Sequence, residues 1–459
     1  MKRKSSNSLV ASFTLIATVT FVNQSVASPQ ITRTEVSDDT ITIHGKGFGK
    51  KDQPAPILWA FGEDIKENGV PVSKERGVKL GSTVSVGKDP NNNIWSRGFG
   101  ATYSSVSRSA DITHTYRAEN EGWVGWPHAF GGDNTHFSNK AYISWRVRTS
   151  GDINNYKVAR VSNIEGEFQT GNDPFSTGEE VLIASADGTE KKGKVVHVDV
   201  ANALMHLEVP GMRAADSVGG RVTGLKSKAS ATLDGDSLYQ TSVAGKYLRS
   251  YETVNEGGTR AILTTNRWFA VQVDSSGKEL RRGFETLTDS GYNSPDISKS
   301  SNWVLLESYL DLSGDYGSGS ISMNNEKIKR FNNLYIADSK PKDSGPTVSN
   351  IGWEPSGGAE VINVALNFGE IYFDKTPQRV ILSNEMYYEK VRDNQEFQYI
   401  EEWTSEKIVT RFRTGNFTKL DPLYIFVFDA SNSPNSLGFC IRNCDNGTSP
   451  PSKINLGID

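Results

Sequence analysis

Cysteine is almost missing from this chain: of 459 residues only Cys440 and Cys444 carry a thiol. So low a count excludes a disulfide-dense scaffold, and with no histidine or second cysteine pair close by the two do not make a zinc site. They are expected to close a small disulfide loop that pins the last turn and little else. An excess of one charge is missing as well. The net charge is −4, from 50 Lys and Arg against 54 Asp and Glu, and neither sign is gathered into runs. Nucleic acid is thereby excluded as an obligatory partner, because phosphate binding needs a concentrated basic face. Beyond the first residues no stretch is apolar enough to span a bilayer. A P-loop, an HExxH zinc helix and a nucleophile elbow are all lacking.

What is abundant is turn chemistry. The 43 glycines and the Asp, Asn and Ser spacers between short apolar runs suit an all-β protein. At about 150 residues per domain the length suggests roughly three domains. The N-terminus reads as a processing signal, with Lys2, Arg3 and Lys4 ahead of an uncharged apolar stretch, Leu9–Val22, and small residues at Ser25-Val26-Ala27. Cleavage is expected after Ala27, giving a secreted protein, extracellular or periplasmic. A membrane anchor is the alternative, disfavoured because the run is short, diluted by Ser and Thr, and followed at once by polar chain.

Alternation with period two marks the strands. In Asn302–Asp311, NWVLLESYLD, residues Trp303, Leu305, Glu307 and Tyr309 share one face and Val304, Leu306, Ser308 and Leu310 the other. Ala141–Thr149 sends Ile143, Trp145 and Val147 one way and Tyr142, Ser144, Arg146 and Arg148 the other. Tyr156–Val161 follows, with Arg160 beside Tyr156 and Val158, and Arg267–Val273 puts Trp268 and Gln272 on one face. The glycines of Gly45, Gly47 and Gly49 precede Pro54 and Pro56, not a helix, and read as an extended turn, not a phosphate loop.

The run Thr40–Gly49, TITIHGKGFG, resembles the opening of IPT/TIG immunoglobulin-like domains, and Gln378–Leu382, Glu402–Ile408 and Leu423–Asp429 resemble their later strands. Glu406 departs from the usual Asp. The resemblance implies one discontinuous immunoglobulin-like domain over 28–56 and 375–445, with the rest inserted into it and a disordered tail over 446–459. YKVARV, RWFAVQV, WVLLESYLDL, SISMNNEKI and GEIYFD resemble a jelly-roll sandwich of the concanavalin A-like lectin/glucanase (LamG-like) class, over 57–167 and 236–374. Between them, 168–235 resembles a small inserted β-barrel with a Phe175-Ser176-Thr177-Gly178-Glu179-Glu180-Val181 opening. The expected fold class is all-β: an antiparallel jelly-roll sandwich, a small inserted barrel and an immunoglobulin-like sandwich.

On chemistry the sequence is sparse. The Glu-x-Asp-x-x-Glu strand of laminarinase-type hydrolases is absent, and Glu370 and Asp374 read better as the close of a strand. The Gln-Ile-His and Arg-x-Glu-Leu-Arg strands of alginate-lyase-type enzymes are absent too. Loose ingredients exist in Arg146, Arg148, Arg160, Gln272 and Tyr309, with His114, His128 and His136 in loops; His197 and His206 read as solvated or packed residues of the barrel. Trp268, Gln272, Trp303, Glu307 and Tyr309 offer aromatic platforms with polar neighbours, a surface that suits sugar rings; inter-sheet core is the alternative for both tryptophans. Trp123 and Trp126 read as a loop clamp or a loop plug. No cofactor is expected; Asp311 and Asp315 would suit calcium, with a plain turn preferred. The leading expectation is a glycan- or polysaccharide-binding protein of an adhesive or matrix-associated surface. A polysaccharide lyase and a purely structural appendage protein remain the alternatives.

Overall fold

A computed structural model describes residues 28–72, 78–87, 94–95, 98–119, 121–125, 140–149, 156–166, 174–185, 188–199, 203–210, 220–239, 245–252, 267–273, 279–283, 302–311, 313, 316–335, 346–355 and 365–444. The expected signal peptide, Trp126, His128, His136, Asp315 and the tail lie outside these residues. The protein is all-β, built from antiparallel sheets and one closed barrel of six strands.

Residues from both ends of the chain share a sandwich. Gln30–Val36 and Thr40–Lys46 pair in a sheet with Lys407–Arg411 and Ile400–Trp403, and a second sheet carries Glu396–Phe397, Val380–Ser383, Leu423–Val427 and Phe439–Arg442. Alternation explains why they close on each other. Ile41 and Ile43 point inward from one sheet, and Val380, Leu382, Leu423, Ile425 and Val427 from the other. Trp403 plugs the end of this core, edge-on to Phe48, with its indole N–H donating to the Gly49 carbonyl at 3.1 Å. A disulfide ties Cys440, in the last strand, to Cys444 just past its end.

The central sandwich sets a ten-stranded sheet against a six-stranded one. In the larger sheet Glu326–Tyr335, Tyr316–Met323, Val304–Asp311, Lys140–Thr149, Ala365–Asp374 and Leu58–Phe61 lie side by side. Ile143, Trp145, Val147, Val304, Leu306 and Leu310 point into the main core, as the alternation requires. Asn324 and Asn325 take positive φ between Tyr316–Met323 and Glu326–Tyr335, the geometry of a tight hairpin turn that asparagine tolerates. Trp303 precedes its strand, which begins at Val304, and is buried.

The barrel orders Tyr156–Glu165, Leu204–Glu208, Glu190–Asp199, Glu180–Ala184, Arg221–Gly224 and Ser230–Tyr239. Its limits differ from the 168–235 read in the sequence, where Tyr156–Val161 fell to the sandwich. The reason is packing: Ala159 and Val161 lie inward among Val181, Val198, Met205 and Leu207, a core of small apolar residues into which Ala231 and Leu233 also fit. Aromatic content does not follow the fold here.

The outer face of the large sheet is covered by the terminal sandwich. Tyr142, Leu305 and Tyr372 pack against Ile381, Phe397, Tyr399, Phe426 and Phe428. Strand Val380–Ser383 is therefore buried on both faces, with Ile381 toward the central sheet and Val380 and Leu382 toward its own core. Ala365–Asp374 is likewise buried throughout, and its parity changes at Gly369-Glu370: Leu366 and Phe368 face the core before that point, Ile371 and Phe373 after it. Glu370 has a φ of 50° there, a bulge that turns its carboxylate to the covered face.

Candidate functional site

Where the terminal sandwich does not quite close on the sheet, a recess of about 280 Å³ remains. Its floor follows from strand register. Tyr142 stands opposite Tyr309 and Tyr309 opposite Ser320, while Ser144 stands opposite Glu307 and Glu307 opposite Ser322. Two cross-strand rows result, one phenolic and one around a carboxylate. The roof comes from the other module: Arg379 ahead of its strand, Tyr388 on the one-turn helix Tyr388–Val391, and Phe428 and Asn432 around a turn. Asp429 fixes that turn by accepting the N–H groups of Ser431 and Ser433 at 2.8 and 3.0 Å.

One buried cluster joins floor and roof. The Tyr142 hydroxyl donates to Glu307, Ser322 donates to the other carboxylate oxygen at 3.3 Å, and Arg379 Nη2 donates to Glu307 Oε1 at 3.3 Å. The Arg379 guanidinium lies 4.5 Å from the Tyr142 ring centre and 3.5 Å from that of Phe428, a cation held between two π-faces. Nη1 donates to the Pro377 carbonyl and to Asn432 Oδ1. Burial pushes the Tyr142, Tyr388 and Tyr309 phenols upward, Tyr309 to about 12 with help from Asp311. All three stay protonated at neutral pH, so the recess offers donors as well as acceptors.

Of the residues singled out in the sequence, Glu307 and Tyr309 come together here. Arg146 lies on the same sheet face but is wholly buried further along, where Nη2 donates to the Asp393 and Gln395 carbonyls at 3.1 and 2.5 Å and Nε faces Glu370 at 3.3 Å. Arg148 is half-buried near the end of that strand. Arg160 is exposed on the barrel. Trp303 is buried beneath the sheet's end, not displayed. Trp268 and Gln272 belong to a described strand, but their side chains lie outside what is described. His114 is buried against Tyr103, and Trp123 is half-buried, stacked on the exposed Phe99. Asp311 is paired with Lys140 at 2.8 Å and capped by Ser313, and no metal-holding cluster occurs among the described residues. Tyr142 had been placed on the correct face by alternation without being singled out; Arg379, Tyr388 and Phe428 carried no signal, since they approach from a separate module.

A second polar cluster locks the two modules beside this recess. Arg108 bridges Glu370 and Glu396, with contacts of 2.9 and 2.6 Å, and Arg413 reaches Glu396 and Asp111, each at 2.6 Å. Burial would raise the Glu370 carboxyl, but Arg108, Arg146 and Arg413 outweigh it and hold the group down at about 2. A carboxylate lowered in the folded state contributes stability that is complete above its ordinary 4.5 and is lost as pH falls toward 2. The expected loss is about 3 kcal/mol, read as a falling urea midpoint between pH 5 and pH 2. Glu370→Gln should remove most of that slope. Gly415, at a φ of +54°, has its would-be Cβ 2.1 Å from the Glu396 carboxylate. Gly415→Ala is therefore expected to cost about 2 kcal/mol or more, measured as a lowered denaturation midpoint.

No family model matches the chain, and no curated protein does. Among solved structures it is similar to the alginate lyase Aly36B, with 9% identity, covering 70% of this chain and 98% of that one at a TM-score of 0.25. A double mutant of that lyase in complex with alginate trisaccharide gives 11% identity over 70% and 99%, also at 0.25. Another, in complex with alginate tetrasaccharide, gives 10% over 63% and 88% at 0.22. At these scores no residue role transfers. No helix among the described residues is long and apolar enough to cross a membrane.

Proposed function

We propose that the protein is directed at a polysaccharide and that the recess between the central sheet and the terminal sandwich holds one of its sugar units. The carrying observation is the lining: Ser320, Ser322 and Tyr309 bring hydroxyls, and Asn325 an amide, to one recess. Such groups donate to and accept from sugar hydroxyls. Its volume is close to the lower end of ordinary ligand pockets, which suits a single unit of a chain. The protein is read as a secreted glycan-binding module, its jelly-roll sandwich carrying a barrel and held inside an immunoglobulin-like domain.

A polysaccharide lyase is the second reading, favoured by one observation: protonated phenols, a carboxylate and a guanidinium converge in a single recess. Tyr309, half-buried at the rim, would then be the phenol that meets the substrate. One experiment separates the readings. The protein is incubated with neutral and acidic polysaccharides, alginate among them, and both retention and the absorbance of new unsaturated uronates are followed. Retention without absorbance supports binding, and Tyr309→Phe should weaken it by a few-fold, about 0.5–1.5 kcal/mol for one lost hydrogen bond. Rising absorbance that Tyr309→Phe abolishes establishes the lyase. Neither signal leaves a structural protein.

A further inference from the structure

We propose that Lys51 and Asp374 join in an intramolecular amide bond as the folded chain ages, a covalent tie between the terminal sandwich and the central sheet that is independent of what the recess holds. Lys51 follows the glycine-rich turn after Thr40–Lys46, and Asp374 ends the strand Ala365–Asp374. The fold holds Nζ 2.6 Å from Oδ2, with the two side chains only 1% and 4% exposed. Such standing contact replaces a chance encounter between the two groups. Their surroundings are aromatic: Tyr372 lies beside the carboxylate, and the Trp403 ring centre is 5.7 Å from Nζ. Burial presses the pair toward amine and carboxylic acid, the forms in which one is a nucleophile and the other an electrophile. Other buried carboxylates, Glu307, Glu370 and Glu396, face guanidinium groups, which stay charged and do not attack. Lys66 and Lys140 face carboxylates that are 49% and 24% exposed and so keep their hydration and charge.

In the step itself, two of the three ammonium hydrogens leave with Oδ2. One passes along the 2.6 Å contact to that oxygen, and the freed amine attacks Cγ. A second follows as the Cγ–Oδ2 bond breaks and water departs. The Thr376 N–H, 3.3 Å from Oδ1, faces the oxygen that bears charge in the tetrahedral intermediate, and the Tyr372 hydroxyl donates to the departing Oδ2 at 3.0 Å. The hydrogen left on nitrogen keeps the Pro54 carbonyl as its acceptor, 2.8 Å from Nζ. No oxidant or second molecule is consumed. Among the described residues no further carboxyl touches the pair to shuttle protons, so the step is slow and freshly folded chain holds the ion pair.

The test is the intact mass of the purified protein, fresh and after days at neutral pH, against the mass its residues require. A species lighter by one water is expected to accumulate with time and, after proteolysis, to give a branched peptide joining Lys51 to Asp374. In denaturing electrophoresis the aged chain, now closed into a loop between those residues, should run ahead of the fresh one. Lys51→Arg keeps the positive charge but cannot form this amide, and it should hold its full mass. The double variant Lys51→Met with Asp374→Leu should do the same if Lys51→Arg fails to fold. A folded protein whose mass never falls would overturn the proposal. So would a lost water that survives in these variants or yields no branched peptide, the mark of a cyclic imide formed within one stretch of chain.

Discussion

Glu396→Gln is expected to destabilise the protein by about 3–5 kcal/mol, the range for breaking a buried ion pair by removing one partner. Glu396 is fully buried and stands between Arg108 and Arg413, accepting from each at 2.6 Å, with the Asn416 N–H as a further donor at 3.1 Å. Glutamine keeps the shape but withdraws the charge that balances two guanidinium groups. Arg108 keeps only Glu370, which it already shares with Arg146. Urea unfolding gives the size of the loss. Its form is equally informative, since Arg108 and Glu370 belong to the central sandwich and Glu396 and Arg413 to the terminal one. A variant in which the modules melt in two separate transitions would show that this cluster couples them. A loss below about 1 kcal/mol would show that the arginines find water instead, and the lock would be discarded.

Lys51→Met should be comparably harmful alone and nearly silent in combination. Lys51 and Asp374 are both buried, with Nζ to Oδ2 at 2.6 Å, and the Tyr372 hydroxyl donates to the same carboxylate at 3.0 Å. Burial presses both groups toward their neutral forms, lowering the lysine and raising the carboxyl. Removing the lysine leaves Asp374 without its principal donor, at a cost of about 3–5 kcal/mol. Replacing both, as Lys51→Met with Asp374→Leu, removes the need for a counter-charge and is expected to fall within about 1 kcal/mol of the parent. A double variant as weak as the single one would mean that Asp374 is needed by Tyr372 and the Thr376 N–H more than by Lys51. The quantity to measure is the coupling energy of the double-mutant cycle.

The strand at Val304–Asp311 was legible residue by residue, because a period of two sorts Val304, Leu306 and Leu310 from Leu305, Glu307 and Tyr309 without any knowledge of the rest of the chain. The same rule put Tyr142 and Arg146 on the correct side of their strand. What it could not supply is what lies against that side. Arg146 looked like a ligand group because exposed arginines usually are solvated, yet the carbonyls of Asp393 and Gln395 that claim it lie almost 250 residues further on. For the same reason the roof of the recess was invisible. Arg379 gains its meaning only when Tyr142 and Phe428 close over it, and no local pattern encodes that meeting. The barrel boundary differs for another reason: Ala159 and Val161 fit either environment, and only the pairing of their strand with Leu204–Glu208, which sets Met205 opposite Ala159, assigns them to the barrel.

Because the first and last described strands, Gln30–Val36 and Phe439–Arg442, both belong to the terminal sandwich, a pull applied at the two ends has a short route through the molecule. Tension would load the pairing of Thr40–Lys46 with Lys407–Arg411 and leave the central sheets and the barrel outside the line of force. A chain tethered at one end and tugged at the other could therefore bear load while its recess keeps its shape.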